Sequence, residues 1–527
     1  MTIYQTTLIA LNRKEPYGVA GILFLCSFLF FYLSRIPTPL NVDTYIYAHS
    51  IESFEGPIIH LGYYGIGALC YAFLKLFGVS TLQTLGYMSQ LCGGVCVGGM
   101  YVFTFLLTRN RLHSLLSAVI LMFSGTVWFY SIHGEVYVPQ LAFVLLSMIC
   151  LLKRLPLLSS LWILIAISIT PTSLLALVPA GYLMYMRRLS KQVVIGFTVP
   201  ILLASVLVVW WEGPGVIQTF EEAIYPPTIF VDQFSYSRMA VNVVYRLAYA
   251  YGRSFNFVSL LAIIGFLALH RHDKKVWWAM LSFLLPFLTY FFNLGLFSPD
   301  HLIITSIAVS FLGTYAIRTI LDGISSHVAA RFVSMALLVL LFAWISFEFV
   351  ISRQKIYSAE LDRVIHNLSE QHNNRGIMLA DYNFGVSFWT LTHKVESKDL
   401  LEGRPHVFLK ENTLDPQIAR KSLKGPFWVS FASIRGFASL PELKTLMEER
   451  PVYLVERVDW PIGYVQVFKD WLVGLGLEKQ EAANLRLEKI AEYLAYRLGT
   501  DITTKKIIES SLHPVYLLEP HNSDSTH

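Results

Sequence analysis

The chain has 527 residues, 54% hydrophobic and only 15% charged, with a mean hydropathy of +0.52, a balance that excludes an ordinary soluble globular protein and belongs in a bilayer. Its net charge of +5 is spread over short loops between apolar runs, the pattern of membrane orientation, which excludes a nucleic-acid-binding stripe and leaves no nucleic-acid partner. The charge is also uneven along the chain: residues 1–351 read as a transmembrane domain, residues 352–520 have the composition of a soluble domain, and 521–527 form a polar, disordered tail.

Twelve apolar runs occur in chain order, at residues 17–34, 58–77, 84–107, 113–131, 136–152, 156–170, 172–186, 192–211, 254–269, 276–294, 301–318 and 331–350. A bilayer core of about 30 Å needs roughly 20 apolar residues per helix, with shorter helices tolerated inside a bundle. The first run follows Arg13 and Lys14 and precedes no small-residue cleavage site, so it reads as an uncleaved span with its N-terminus in the cytoplasm. If all twelve runs crossed, the basic loops (Arg109 and Arg111, Lys153 and Arg154, Arg187 to Lys191, Arg271 to Lys275) would fall on both sides. Laying only 58–77 along the outer interface returns them all to the cytoplasm, together with Arg318 and Arg331. That segment carries His60, Gly62, Gly65, Gly67 and Lys75, and Tyr63, Tyr64 and Tyr71 suit an interfacial helix. Runs 156–170 and 172–186 have basic residues at both outer ends, which requires a hairpin turning at Thr170-Pro171-Thr172.

The expected fold is therefore an α-helical polytopic membrane protein of about eleven transmembrane helices, with outer loops from Arg35 to about Gln83 and from Glu212 to about Arg253. The C-terminal domain then lies outside the cytoplasm. In it, 359–372, 441–449 and 478–498 read as helices and 376–381, 427–432 and 452–458 as strands, which suggests a small α/β domain. The five cysteines (Cys26, Cys70, Cys92, Cys96 and Cys150) lie in apolar stretches and suggest neither a disulfide framework nor a zinc site.

Asp43 sits about eight residues beyond the first span. A carboxylate at the outer interface is suited to accept a proton from an acceptor hydroxyl, and equally suited to cap the stretch that runs on to Phe54. Glu135, in the short outer turn Ser131-Ile132-His133-Gly134-Glu135, would favour the macrodipole of the helix that follows.

Three segments in order carry a resemblance: Asp43, then His60-Leu61-Gly62-Tyr63-Tyr64 running into Leu74-Lys75-Leu76-Phe77-Gly78, then Gly134-Glu135-Val136-Tyr137. A fourth, looser match is Phe297-Ser298-Pro299-Asp300-His301-Leu302 at the outer start of a late span. With the span pattern they resemble the GT-C superfamily of membrane glycosyltransferases, in the branch of protein O-mannosyltransferase-like and related bacterial families that use polyprenyl-phosphate sugars. In those families an acid opens the first loop, a His-Pro-Pro-Gly-Tyr-Pro-like segment begins the interfacial helix, and Glu-Val-Tyr follows the third span; here the prolines are absent. The resemblance covers roughly the first 350 residues.

It implies a sugar transferred from a polyprenyl-phosphate donor to an extracytoplasmic acceptor hydroxyl on a lipid, glycan or protein, in a bacterial inner membrane, with inversion. Asp43 would be the general base, and Glu135 would bind acceptor, metal or a sugar hydroxyl. The donor phosphate needs cations or hydrogen-bond donors, for which His60, Lys75, Arg246, Arg253 and His301 are candidates, beside Arg35 and Arg238. Headgroup snorkelling is the alternative for each of these cations. Asp43 and Glu135 could share a divalent metal, although two acids so far apart in sequence are not a metal signature. A transporter or a lipid or polysaccharide flippase is the rival class; it should show repeat symmetry and midplane charges, whereas the polar residues here cluster at outer ends.

Overall fold

The computed structural model describes residues 3–36, 42–53, 60–212, 236–285, 303–324, 327–372, 377–379, 427–429, 451–455, 491, 495–496, 501–510 and 514–520. Two compact units emerge, one of Met1–Arg35 with Gly56–Ser352 and one of Ile36–Glu55 with Arg353–His527.

The first unit is helical. Its helices are α1 (Ile3–Leu33), α3 (Leu61–Leu74), α4 (Thr81–Thr108), α5 (Arg111–Phe123), α6 (Gly125–Ile132), α7 (Tyr137–Leu152), α8 (Pro156–Ile169), α9 (Leu177–Met186), α10 (Lys191–Glu212), α11 (Tyr236–His272), α12 (Lys274–Leu284), α13 (Ser306–Ile324) and α14 (Val328–Ser346). Local chemistry starts several of them. Ser80 and Gln83 form a capping box on α4, the Asn110 side chain accepts from the His113 N–H at 2.9 Å, and Asp273 accepts from the Lys275 and Val276 N–H groups at 3.0 and 3.1 Å.

Among the described residues five helices are long and apolar enough to cross a bilayer, and the pair α5 and α6, bent by 58° at Ser124, makes a sixth if counted as one span. The chain is a multi-pass membrane protein, and its surface agrees. Leu25, Leu29 and Leu33 on α1 and Phe332, Leu337, Leu340 and Trp344 on α14 are all exposed, which only lipid makes favourable over such an area. The central helices are α4 and α13, whose apolar windows are 67% and 78% buried against 17% for α1. Gly265 lets α11 lie against α13, since a Cβ there would run into the Leu312 carbonyl.

The helices keep the predicted order, with differences that have local causes. The run expected at 113–131 is broken because Ser124 leaves the helical conformation to cap α6. The expected outer loop to Arg253 is helical from Tyr236, and this helix kinks at Asn256 (φ 38°, ψ −124°). There the Asn256 side chain accepts from the Phe257 N–H at 2.8 Å and donates to Ser346 Oγ at 3.3 Å. Tyr63 and Tyr64, expected at an interface, are buried, because α3 turns them inward against α4 and α8 and leaves Leu61, Leu69 and Phe73 exposed.

The basic loops meet at one end of this unit. The Arg187 guanidinium donates to the Leu106 carbonyl at 2.6 Å near the close of α4 and feels the charge of Arg109. Tyr182 donates to the Lys275 carbonyl at 3.2 Å, and Lys153 lies 3.9 Å from the ring centroid of Tyr17 on α1. Three helices end here on an arginine in the left-handed region: Arg109 (φ 56°), Arg154 (φ 62°) and Arg188 (φ 46°). After Arg154 and Arg188 the chain closes Schellman motifs, with Leu155 N–H to Cys150 O at 2.9 Å and Leu189 N–H to Met184 O at 3.1 Å.

In the second unit, α2 spans Val42–Ser53 and α15 spans Arg353–His372, which buries Ser358, Leu361, Val364, Ile365 and Leu368 on one face. Among the described residues five strands form one sheet: β1 (Ile377–Leu379), β2 (Phe427–Val429), β3 (Val452–Val455), β4 (Ile502–Ile508) and β5 (Val515–Pro520), ordered β2-β1-β3-β5-β4. β1 pairs in parallel with β2 and β3, while β5 pairs antiparallel with β3 and β4. Arg363 on α15 donates to the Glu509 carbonyl just after β4, at 3.0 Å. The expected helices 441–449 and 478–498 lie largely outside the described residues.

Candidate active site

At the end of α7 away from Lys153 the membrane unit turns polar. The chain leaves α6, passes through His133 and Gly134, and enters α7, so that Glu135 sits in a tight turn whose own N–H donates to the His133 carbonyl at 3.0 Å. Glu135 is fully buried, and it is the one Asp, Glu, Lys or Arg that is buried among the residues whose side-chain burial the structure describes, which leave out Asp43, Arg246 and Arg253. The Ser89 hydroxyl of α4 donates to its backbone carbonyl at 3.5 Å. The Tyr63 phenol of α3 lies within electrostatic reach of the Glu135 carboxyl and beside Ser89. His133, also buried, stacks on Phe129 at 4.0 Å between centroids and holds the Phe129 carbonyl with Nδ1 at 2.7 Å.

Helices α8 and α9 complete this end. Gln140 on the first turn of α7 donates through Nε2 to Thr172 Oγ1 at 2.9 Å, fixing the turn between them; its Oε1 has no hydrogen-bond partner among the described residues. Because Thr172 lies here, and Lys153 and Arg187 lie at the basic end, the chain does reverse at Thr170-Pro171-Thr172. His60 Nδ1 hydrogen-bonds the Ile169 carbonyl at 2.7 Å, and Gly62 packs so tightly on Ser168 that a Cβ would collide with the serine side chain. The N-terminus of α3 is thereby fastened to the C-terminus of α8.

The predicted residues separate accordingly. Glu135 and His60 lie at the same polar end, with His60 engaged with the Ile169 carbonyl. Lys75 lies just past the other end of α3, exposed, 5.6 Å from the Tyr71 ring centroid. Asp43 is the second residue of α2, so its backbone belongs to the first helical turn and does not precede it. Arg246 and Arg253 share α11, while His301 and Asp300 lie outside the described residues. Among the described residues no group of three or more His, Cys, Asp or Glu could hold a metal. Sequence reasoning missed Ser89 and Gln140; the only signal was a polar residue inside an apolar run, which is too common to single them out. Tyr63 was singled out for the wrong environment.

Solved structures similar to this chain include an oligosaccharyltransferase and ArnT. One is the oligosaccharyltransferase AglB of Archaeoglobus fulgidus, in complex with an inhibitory peptide and a dolichol-phosphate, at 10% identity over 83% of this chain and 69% of that chain, TM-score 0.43. Another is ArnT of Cupriavidus metallidurans bound to undecaprenyl phosphate, at 10% identity over 96% of this chain and 98% of that chain, TM-score 0.44. No protein-family model and no curated protein matches the sequence.

Proposed function

We propose that the chain is a GT-C-type membrane glycosyltransferase that moves a sugar from a polyprenyl-phosphate donor to a hydroxyl of an extracytoplasmic acceptor. The observation that carries this reading is Glu135, a carboxyl group buried at the polar end of a membrane bundle, opposite the basic loops. An ionisable group in such a place is costly and is retained for chemistry. A transporter needs charge distributed along its spans, and among the residues whose side-chain burial the structure describes the buried charge is confined to this one carboxyl. The topology that accompanies the proposal has about eleven crossings, a cytoplasmic N-terminus and an extracytoplasmic C-terminal domain in a bacterial inner membrane.

In the proposed reaction the acceptor oxygen attacks the anomeric carbon as the bond from that carbon to the phosphate oxygen breaks, inverting the centre. Asp43 takes the acceptor proton, and the phosphate leaves on the lipid. Arg246, Arg253, Lys75 and His301 are the proposed holders of its charge. His60 is better placed as a positioning residue, since it anchors α3 through the Ile169 carbonyl. Glu135 and the Oε1 of Gln140 would accept hydrogen bonds from substrate hydroxyls.

Purified protein incubated with a panel of radiolabelled polyprenyl-phosphate sugars tests the class. Asp43→Asn tests the base: it is nearly isosteric and keeps a side-chain acceptor at the first turn of α2, so a purely structural role predicts unchanged activity. General-base loss instead lowers turnover by roughly 10²- to 10⁴-fold. Wild-type turnover in the Asn variant at saturating donor and acceptor removes Asp43 from the mechanism.

A further inference from the structure

At the basic end, away from Glu135, a cavity of about 590 Å³ opens between α9 and α12. That is within the range of roughly 300–1,000 Å³ usual for small-molecule clefts. Its walls combine two chemistries. Met184, Leu189 and Val194 give it an apolar side, while Tyr182, Arg188 and Lys275 give it a polar one.

The polar side is built into the fold. Tyr182 donates to the Lys275 carbonyl at 3.2 Å and so ties the start of α12 to α9. Arg188 stands at the left-handed position of the Schellman motif that ends α9, with φ 46°. Arg187, Lys191, Arg271 and Lys274 are close chain neighbours of these lining residues, and Asp273, within electrostatic reach of Tyr182, spends its carboxylate on the first N–H groups of α12. The surplus is strongly positive.

The apolar side continues onto lipid-facing surface. Val178, Val194 and Ile195 are exposed next to it, and Tyr185 and Trp278 stand out of the bundle as aromatic anchors do at headgroup depth. We infer that this cleft binds the headgroup of an anionic phospholipid, with the phosphate on Arg188 and Lys275 and the upper acyl chain along Met184 and Val194. A soluble anion would use the cations but not the apolar wall, and a zwitterionic lipid would use the wall while bringing its own positive charge against the cations.

The test uses the whole protein, delipidated in a neutral detergent and given phosphatidylglycerol or phosphatidylcholine, with bound lipid counted by native mass spectrometry. Wild-type protein should retain phosphatidylglycerol at least tenfold better, and 0.5 M NaCl should reduce that preference. Arg188→Gly with Lys275→Gln should abolish it. Glycine suits the left-handed backbone, so that change removes the charge without straining the fold. Equal retention of the two lipids by wild-type protein, or an undiminished preference in the double variant, overturns the proposal. Displacement of phosphatidylglycerol by inorganic phosphate at millimolar concentration also overturns it, in favour of a small-anion site.

Discussion

Glu135 concentrates the chemical interest of the membrane unit because burial and charge are in direct conflict there. A carboxyl group with no exposed surface, close to the Tyr63 phenol and two residues after the buried His133, would suit a polar guest. Glu135→Gln preserves the shape and removes the charge. Since a hydrogen bond to a charged group contributes about 1.5–3 kcal/mol, kcat/KM should fall by roughly 10- to 100-fold. The melting temperature should hold. A melting temperature that drops with unchanged kcat/KM would make Glu135 a structural residue. The residue-level reading of the sequence went this far and no further. Asp43 and Glu135 could be singled out by their places in outer segments and by the motifs around them, but burial cannot be read from spacing, and so Glu135 suited a helix-dipole partner as well as a site residue. Likewise, tyrosines signal an interface in composition, yet Tyr63 and Tyr64 are directed inward by the packing of α3 on its neighbours.

At the scale of elements, α3 depends on one close approach. Gly62→Ala forces a methyl group into Ser168 on α8, and overpacking of this kind costs about 1–3 kcal/mol. The variant should melt earlier and lose transfer activity, and pairing it with Ser168→Gly should restore part of both. Strict additivity of the two changes would show that they do not meet. The Asn256 kink in α11 makes a contrasting case: Asn256→Gly should preserve it, since glycine tolerates the positive φ, whereas Asn256→Val should destabilise the fold by more than 1 kcal/mol. Elements were the most legible level of the sequence. Long apolar runs announce helices whatever their neighbours do, and β1, β2 and β3 fall within the stretches expected for them. Strands β4 and β5 were missed because Thr503 to Lys506 break the apolar pattern of β4. Their pairing with the sheet is a long-range fact. Lys505 and Lys506 now read as charges on a strand at the end of the sheet order, where they discourage pairing with another chain.

For the whole molecule, the meeting of the basic loops at one end of the membrane unit gives the proposed topology a physical form. Val79→Cys and Arg109→Cys, each introduced after replacing the five native cysteines, should be labelled from opposite sides of sealed vesicles. Labelling of Val79→Cys from the cytoplasmic side and of Arg109→Cys from the outer side would require α3 to cross. Protease added to right-side-out vesicles should cut near residues 352–360, and protection there would place the C-terminal unit in the cytoplasm.

The three arginines at left-handed helix ends carry one more consequence. Glycine at each position would relieve about 1–2 kcal/mol of backbone strain, so the finished protein would be more stable without them. Under the proposed topology, what Arg109 and Arg154 serve is an earlier moment, when each hairpin leaves the insertion machinery and a fixed positive charge decides which way it faces. The structure thus preserves instructions addressed to its own synthesis. Arg154→Gly should raise the melting temperature of the mature protein while lowering the fraction of newly made chains that arrive in the right orientation, two measurements moving in opposite directions.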